Sequence, residues 1–356
     1  MMSLNEIQKQ IKSTQSTAQI TRAMQLVSNN KYHQMVEEAE NYHRYNDELH
    51  KLVTHAIHQH MVEGGSTSFD QLDNDSGYTF QDFLVTRPVK RTGYLVITSD
   101  KGLAGSYNSS IIKAVDQMFK QNHKSNDEVV ILAVGDPIVK YCRENGIEIA
   151  YEVHNMPNYP SFTQVQKLIQ NAVKLYRTHI FDELYLCYNH HINALTNRLI
   201  VSQILPMGER VSKTTTRHQD KHPDKKVVDL EADILMEPSV TEVLEVLVPQ
   251  YAESQIYGAI IDAKTAEQAS RMSAMKSATE NAEEMIGKLQ LEYQKARQMG
   301  LTNEVIEIIN GASAQDDDAK EIRSGIIDRE SLVKDIYTHI PDEWLDENGK
   351  LTPLED

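Results

Sequence analysis

Chemistry in this chain would start at Ser99-Asp100-Lys101-Gly102-Leu103-Ala104-Gly105-Ser106-Tyr107-Asn108, where a strand-like run, Tyr94 to Ile97, turns into helical spacing from Ile111 to Phe119. Backbone amides at a strand-to-helix turn can hold a phosphate. The glycine spacing, however, fits neither GxGxxG nor the Walker pattern GxxxxGK followed by Ser or Thr. A tight turn that needs glycine for its backbone geometry accounts for the same residues, with Asp100 and Lys101 as turn residues or a surface contact. Histidines gather at His50, His55, His58 and His60 and again at His190-His191. Steps of three and five on a helix could bring metal ligands together, but no carboxylate or cysteine pattern completes a site. An exposed polar helix face is expected, without a metal. The Ser/Thr-rich segments carry no His and Asp at a recognisable nucleophile motif. We expect no catalytic residue and no cofactor.

The elements that would carry these residues fall into two kinds. In the middle, strand signals at Tyr94–Ile97, Val129–Val134, Ile147–Val153 and Glu183–Tyr188 alternate with helix candidates at Pro137–Asn145 and Thr163–His179. That alternation implies βαβ crossovers and a mainly parallel sheet with helices on its faces. At the ends the pattern is helical throughout. Met275, Ala278, Ala282, Met285 and Leu289 recur at steps of three and four, and Leu4, Ile7, Ile11, Thr14, Ala18 and Thr21 do the same before Met24 and Val27. Such a stripe asks for a partner helix. The expected fold is an α/β domain inserted between N- and C-terminal helices that wind into a long antiparallel coiled coil.

Composition places the boundaries. Residues 1–63 are expected as the N-terminal coiled-coil helix, 64–92 as a connecting segment, 93–236 as the α/β domain, 237–314 as the C-terminal helix and 315–356 as an acidic extension. The start of the last helix is signalled by Glu237-Pro238-Ser239, and its end is expected near Gly311. Within the α/β domain, residues 208–226 hold six Lys/Arg against three Asp/Glu and should form an exposed loop. The extension holds thirteen acidic and five basic side chains, half of the chain's net charge of −16. That charge argues against nucleic acid as a general partner. The only cysteines, Cys142 and Cys187, form no CxxC pair, so a reducing compartment and no disulfide are expected. No apolar run is long enough to span a membrane, and the N-terminus has no signal-peptide character.

The most specific text lies in three separated places. It reads Ile11-Lys12-Ser13-Thr14 and Thr17 to Val27 with Lys31 near the start, Thr98 to Leu103 with Asn108 in the middle, and Arg271 to Ala282, Leu291 to Gln298, Thr302, Glu304, Glu307 and Gly311-Ala312-Ser313-Ala314 near the end. Over residues 3 to about 314 the chain resembles the gamma subunit of F-type ATP synthases.

The resemblance implies a Rossmann-like α/β domain at the foot of an antiparallel coiled coil. It implies the central rotor shaft of a proton-translocating synthase, without catalytic chemistry of its own. The implied partners are the alternating alpha and beta subunits of the F1 hexamer, the epsilon subunit and the membrane ring of c subunits, with one copy of this chain per complex. The implied location is peripheral, on the cytoplasmic face of a bacterial cell membrane. Carried over position by position, Arg297, Gln298 and Thr302, with Glu304 and Glu307 beside them, match the C-terminal contacts with catalytic-subunit loops. Met24 and Lys31 match N-terminal positions that face the beta-subunit levers. A solvated face for Arg297 and Gln298, and seam filling for Met24, are the alternatives.

Departures from the family pattern stand at Asn29, Asn30, Met299 and Gly300, where small residues are usual, and in the 42 residues that follow Ala314. The extension could dock on the far side of the hexamer through Val333, Ile336, Ile340 and Trp344, or be a disordered acidic appendage. The cysteine-bearing insertion of the chloroplast branch is missing, so thiol control is not expected. Two other readings stay open: the shaft of a diverged rotary ATPase not used for synthesis, and a small nucleotide-dependent enzyme using the glycine turn.

Overall fold

The computed structural model of the chain describes residues 3–62, 80–157, 159–194, 196–207 and 236–315. The polar loop at 208–226, the start of the connecting segment at 64–79, and the extension from 316 with Val333, Ile336, Ile340 and Trp344 lie outside the described residues.

Two long helices frame the fold, and each opens on a side-chain cap. Helix α1, Leu4–Val62, starts at a reciprocal box in which the Ser3 amide donates to Glu6 Oε2 (2.8 Å) and the Glu6 amide donates to Ser3 Oγ (3.3 Å). The second long helix, called α6 below, spans Val240–Gln315, and the Glu242 amide donates to Ser239 Oγ at 3.3 Å. Its start therefore follows Ser239, and it runs four residues beyond Gly311.

Between them lie α2 (Gln81–Leu84), β1 (Thr92–Ile97), α3 (Tyr107–Asn122), β2 (Val129–Val134), α4 (Asp136–Asn145), β3 (Glu148–Val153), α5 (Phe162–Arg177), β4 (Glu183–His191) and β5 (Asn197–Leu205). The five strands form one sheet in the order β3-β2-β1-β4-β5. The first four are parallel, and β5 is antiparallel to β4. β1 and β2 are buried along their whole length, which is why they read as unbroken apolar runs.

By compactness the chain divides into two units, Lys12–Ile286, and Met1–Ile11 with Gly287–Asp356. In the larger unit the alternation of each strand separates two cores. Leu95, Ile97, Val130, Leu132, Val134, Leu184 and Leu186 face α2, α5, the end of α1 and the first turns of α6. Tyr94, Val96, Ile131, Ala133 and Cys187 face α3 and α4. At the carboxyl ends of β1 and β2 the chain needs glycine. Gly135 sits at φ 95°, and a Cβ there would lie 2.7 Å from the Thr98 carbonyl oxygen.

Two elements depart from the sequence reading. No strand was expected at 197–205, yet β5 closes the sheet edge by a hairpin. Its apolar residues Leu199, Ile200 and Val201 are adjacent, so period-two alternation is absent. The connecting segment is no plain linker either: Phe80, Phe83, Leu84 and Val85 are buried, and the Phe83 carbonyl accepts from the Met207 amide at 2.7 Å.

The long helices pair within the larger unit. Thr21 meets Thr279, Tyr42 and Asn46 meet Ser254, and His50 meets Tyr251, so the α6 partner number falls as the α1 number rises. The two helices therefore run in opposite directions.

Their buried stripes differ in detail from the expected seam. On α6, Met275, Thr279, Ala282 and Leu289 are buried while Met285 is 55% exposed; on α1, Ala18, Thr21 and Ser28 are buried while Val27 is 55% exposed. Met285 and Val27 are thus misassigned. A strict alternation of three and four through Thr279 and Ala282 reaches Ile286 next, and through Thr21 it reaches Gln25 and Ser28. Small polar residues, Thr21, Ser28 and Thr279, take buried positions beside larger apolar ones that stay exposed.

Candidate partner-contact surface

The glycine turn presents carbonyl groups to the protein. Buried Arg271 of α6 donates through Nη2 to the carbonyl oxygens of Lys101 (3.0 Å) and Gly102 (3.3 Å), and also to Glu267 (2.8 Å). Ser99 Oγ donates to the Lys101 carbonyl, Asn108 Oδ1 accepts from the Ser99 amide, and Asp100 accepts from the Met156 amide. Asp100 is accordingly a structural tie between this turn and the segment after β3.

The demand for glycine sits at Gly105, at φ 59° with Ala274 Cβ 3.3 Å from an added Cβ; Gly102 has open space around it. Leu103 takes the other left-handed position, at φ 62°, and stays exposed. For an apolar residue that combination is unusual.

The histidines of α1 do not form the uniform solvated face expected of them. His55 is buried, and His50 Nδ1 lies 2.9 Å from the Tyr251 hydroxyl. Packing of the last turns of α1 onto the sheet explains this. Among the described residues no group of three His, Cys, Asp or Glu is placed to hold a metal ion.

What remains conspicuous is apolar surface on the long helices. In the larger unit Ile20, Leu26 and Val27 of α1 and Met285 of α6 are exposed. In the smaller unit Leu291, Met299, Leu301, Val305, Ile308 and Ile309 are exposed, while Ile7 and Leu289 are buried. Leu301, Val305 and Ile308 step by four and three along α6 as one exposed apolar stripe, a candidate binding surface. Their position outside the three-four seam was the available sequence signal.

The residues singled out from the sequence divide between the units. Met24 and Lys31 lie on α1 in the larger unit, seven positions apart and therefore on one side of the helix, both half-buried. Arg297, Gln298, Thr302, Glu304 and Glu307 lie on α6 in the smaller unit, all exposed. Arg297 and Glu304 share one side; Gln298 and Thr302 share the next, with Thr302 Oγ1 donating to the Gln298 carbonyl at 2.9 Å.

The fold is thus that of an α/β sheet domain framed by two long terminal helices that run antiparallel and leave apolar residues exposed. The ATP synthase family profile matches residues 3–315. Curated relatives include the ATP synthase gamma chains of Lacticaseibacillus paracasei, 41% identical over 317 residues covering 88% of this chain and 98% of that one, and of Enterococcus hirae, 42% identical over 313 residues with the same coverage. The chain belongs to the ATP synthase gamma-chain family. In fold it is similar to a chain of the Euglena gracilis mitochondrial ATP synthase solved as OSCP, F1 and c-ring, with a TM-score of 0.60 at 16% identity, covering 89% of this chain and 96% of that one.

Proposed function

We propose that this chain is the central-stalk rotor subunit of the F1 sector of a proton-translocating ATP synthase, with α1 and α6 wound as an antiparallel coiled-coil shaft and the Rossmann-like sheet domain as its foot. The observation that carries the reading is the family match along residues 3–315, which takes in both long helices. The partners are the alpha and beta subunits around the shaft and the epsilon subunit and c-ring at the foot. Catalysis belongs to the surrounding hexamer.

A shaft works here because its sides differ. On α1, exposed Leu26 lies well around the helix from Lys31, and on α6 Gln298 and Thr302 lie on the side next to the one that carries Arg297 and Glu304. Three identical beta subunits around such an axle meet unlike surfaces, and each is biased toward a different nucleotide affinity. Turning the axle moves the bias around the ring. Proton flow drives the turn in synthesis, and hydrolysis drives its reverse. Met24, Lys31, Arg297, Gln298, Thr302, Glu304 and Glu307 are the contacts through which torque passes.

No helix among the described residues is long and apolar enough to cross a membrane. In this reading the chain sits at the cytoplasmic face of the cell membrane, held there through the complex. The test is a pull-down of this chain from a detergent extract, followed by ATP-driven proton pumping in reconstituted vesicles. Recovery of alpha, beta, epsilon and c subunits with pumping supports the reading. Recovery of a hexamer without c subunits would favour a rotary ATPase with another output, and ATP turnover by the purified chain alone would overturn it.

A further inference from the structure

Where α6 lies against α1, the sheet and α5, one buried carboxylate holds two histidines from different elements. His190 of β4 donates through Nδ1 to Asp262 Oδ2 at 2.6 Å, and His43 Nε2 of α1 faces Asp262 Oδ1 at 3.4 Å. Asp262 is buried, His190 is mostly covered and His43 is partly exposed. Nine residues earlier on α6, Glu253 is also buried and faces Tyr42 of α1.

We propose that this junction is a proton-tightened clamp, built on His43, His190, Asp262 and Glu253, that holds the two long helices to the sheet domain more firmly as pH falls from about 8 to about 5. Nothing in it depends on the assembly the chain joins, so it is testable on the free protein.

The electrostatic surroundings support the direction. From α1, Glu40 and Asp47 face His43 along with Asp262, while Tyr45 faces the neighbouring Tyr42. From α6, Tyr257 joins Glu253 near Tyr42, and Glu38 of α1 faces Tyr257. From the sheet come His190, its neighbour His191 beside the Tyr32 hydroxyl, and exposed Arg198 across the hairpin. Around His43 the charges are mainly acidic.

The hydrogen bond to Asp262 lifts the His43 imidazole above its ordinary 6.5, against burial that lowers it, with help from the charges of Asp262, Asp47 and Glu40. Its contribution is full below 6.5 and is lost as pH rises through the native value. Burial lifts the Glu253 carboxyl above its ordinary 4.5, so the folded state gains relative stability as pH falls through that native value. Asp262 runs the other way: burial alone would raise it, but His190 and His43 hold it below 3.8, and its contribution disappears only as pH falls through that lower value. The clamp is therefore tightest in mild acid.

The experiment is a histidine NMR titration and a set of thermal melts on the full-length chain and its H43Q, D262N and E253Q variants. We expect His43 to titrate above its ordinary value and to fall back in D262N. The stability advantage of wild type over H43Q should be larger at about pH 5.5 than at about 8.5, and E253Q should exceed wild type at about 8.5 with the gap narrowing in acid. Should D262N fail to fold, the wild-type titration and the H43Q melts still decide, because His43 is partly exposed. A His43 titration at or below its ordinary value, or a wild-type advantage over H43Q that is constant across this range, would overturn the clamp.

Discussion

Thr21 and Thr279 face each other across the two long helices with hydroxyl oxygens 2.7 Å apart, and both are buried. Each also donates or can donate to its own helix, to the carbonyls of Ala18 and Met275. Replacing Thr279 by Val keeps the shape but leaves the Thr21 hydroxyl one partner short, so we expect a loss of about 1 kcal/mol in denaturant unfolding. The proposed torque contacts should behave in the opposite way. Arg297, Gln298 and Glu304 are exposed, so alanine there should shift the chain's own stability by less than about 0.5 kcal/mol. In the assembled enzyme the same changes should reduce ATP-driven proton pumping relative to hydrolysis; unchanged pumping in the triple variant would remove these residues from the contact set. The cysteines belong at this scale too. Burial lifts the Cys142 thiol to about 12 and the Cys187 thiol higher still, so neither should react with a thiol reagent until the protein unfolds.

At the scale of elements, the seam supplies a paired test. Ala282 is buried and Met285 is exposed, so Ala282→Leu should cost about 1 to 3 kcal/mol by overpacking, whereas Met285→Ser should change the melting free energy by less than about 0.5 kcal/mol. The reverse ranking would restore Met285 to the seam. Gly135→Ala should also destabilise, by about 1 to 3 kcal/mol, because the added methyl meets the Thr98 carbonyl and the backbone is left-handed. β1 and β2 were legible because their burial on both faces leaves near-continuous apolar runs. The start of the last helix was legible because Glu237-Pro238-Ser239 stands just before it. β5 was not, since an edge strand with adjacent apolar residues carries no period of two. The seam was legible as a repeat but not in its register: Ser28 and Thr279 are polar residues whose burial depends on a partner helix, which no local pattern reveals. The proposed contact residues rest on family likeness alone, because exposed Arg297 and Gln298 look like any solvated helix side.

The whole molecule joins two demands that pull apart. A shaft must be stiff, which the sheet provides by anchoring α1 and α6 through a shared core of Leu49, Val53, Leu244, Val248 and Ile256. It must also present unlike sides to identical neighbours, which leaves apolar residues such as Leu26 and Ile308 uncovered in the free chain. Those exposed residues predict that the isolated chain self-associates as concentration rises and that assembly with the hexamer suppresses it, measurable by sedimentation. Rotation itself gives the most direct test. Lys140 on α4 is exposed, so a bead attached through K140C, with the native cysteines buried, can report on the sheet domain of an enzyme whose hexamer is fixed to glass. Addition of ATP should drive the bead continuously in one direction; an enzyme that hydrolyses ATP while the bead stays still would contradict the rotor account.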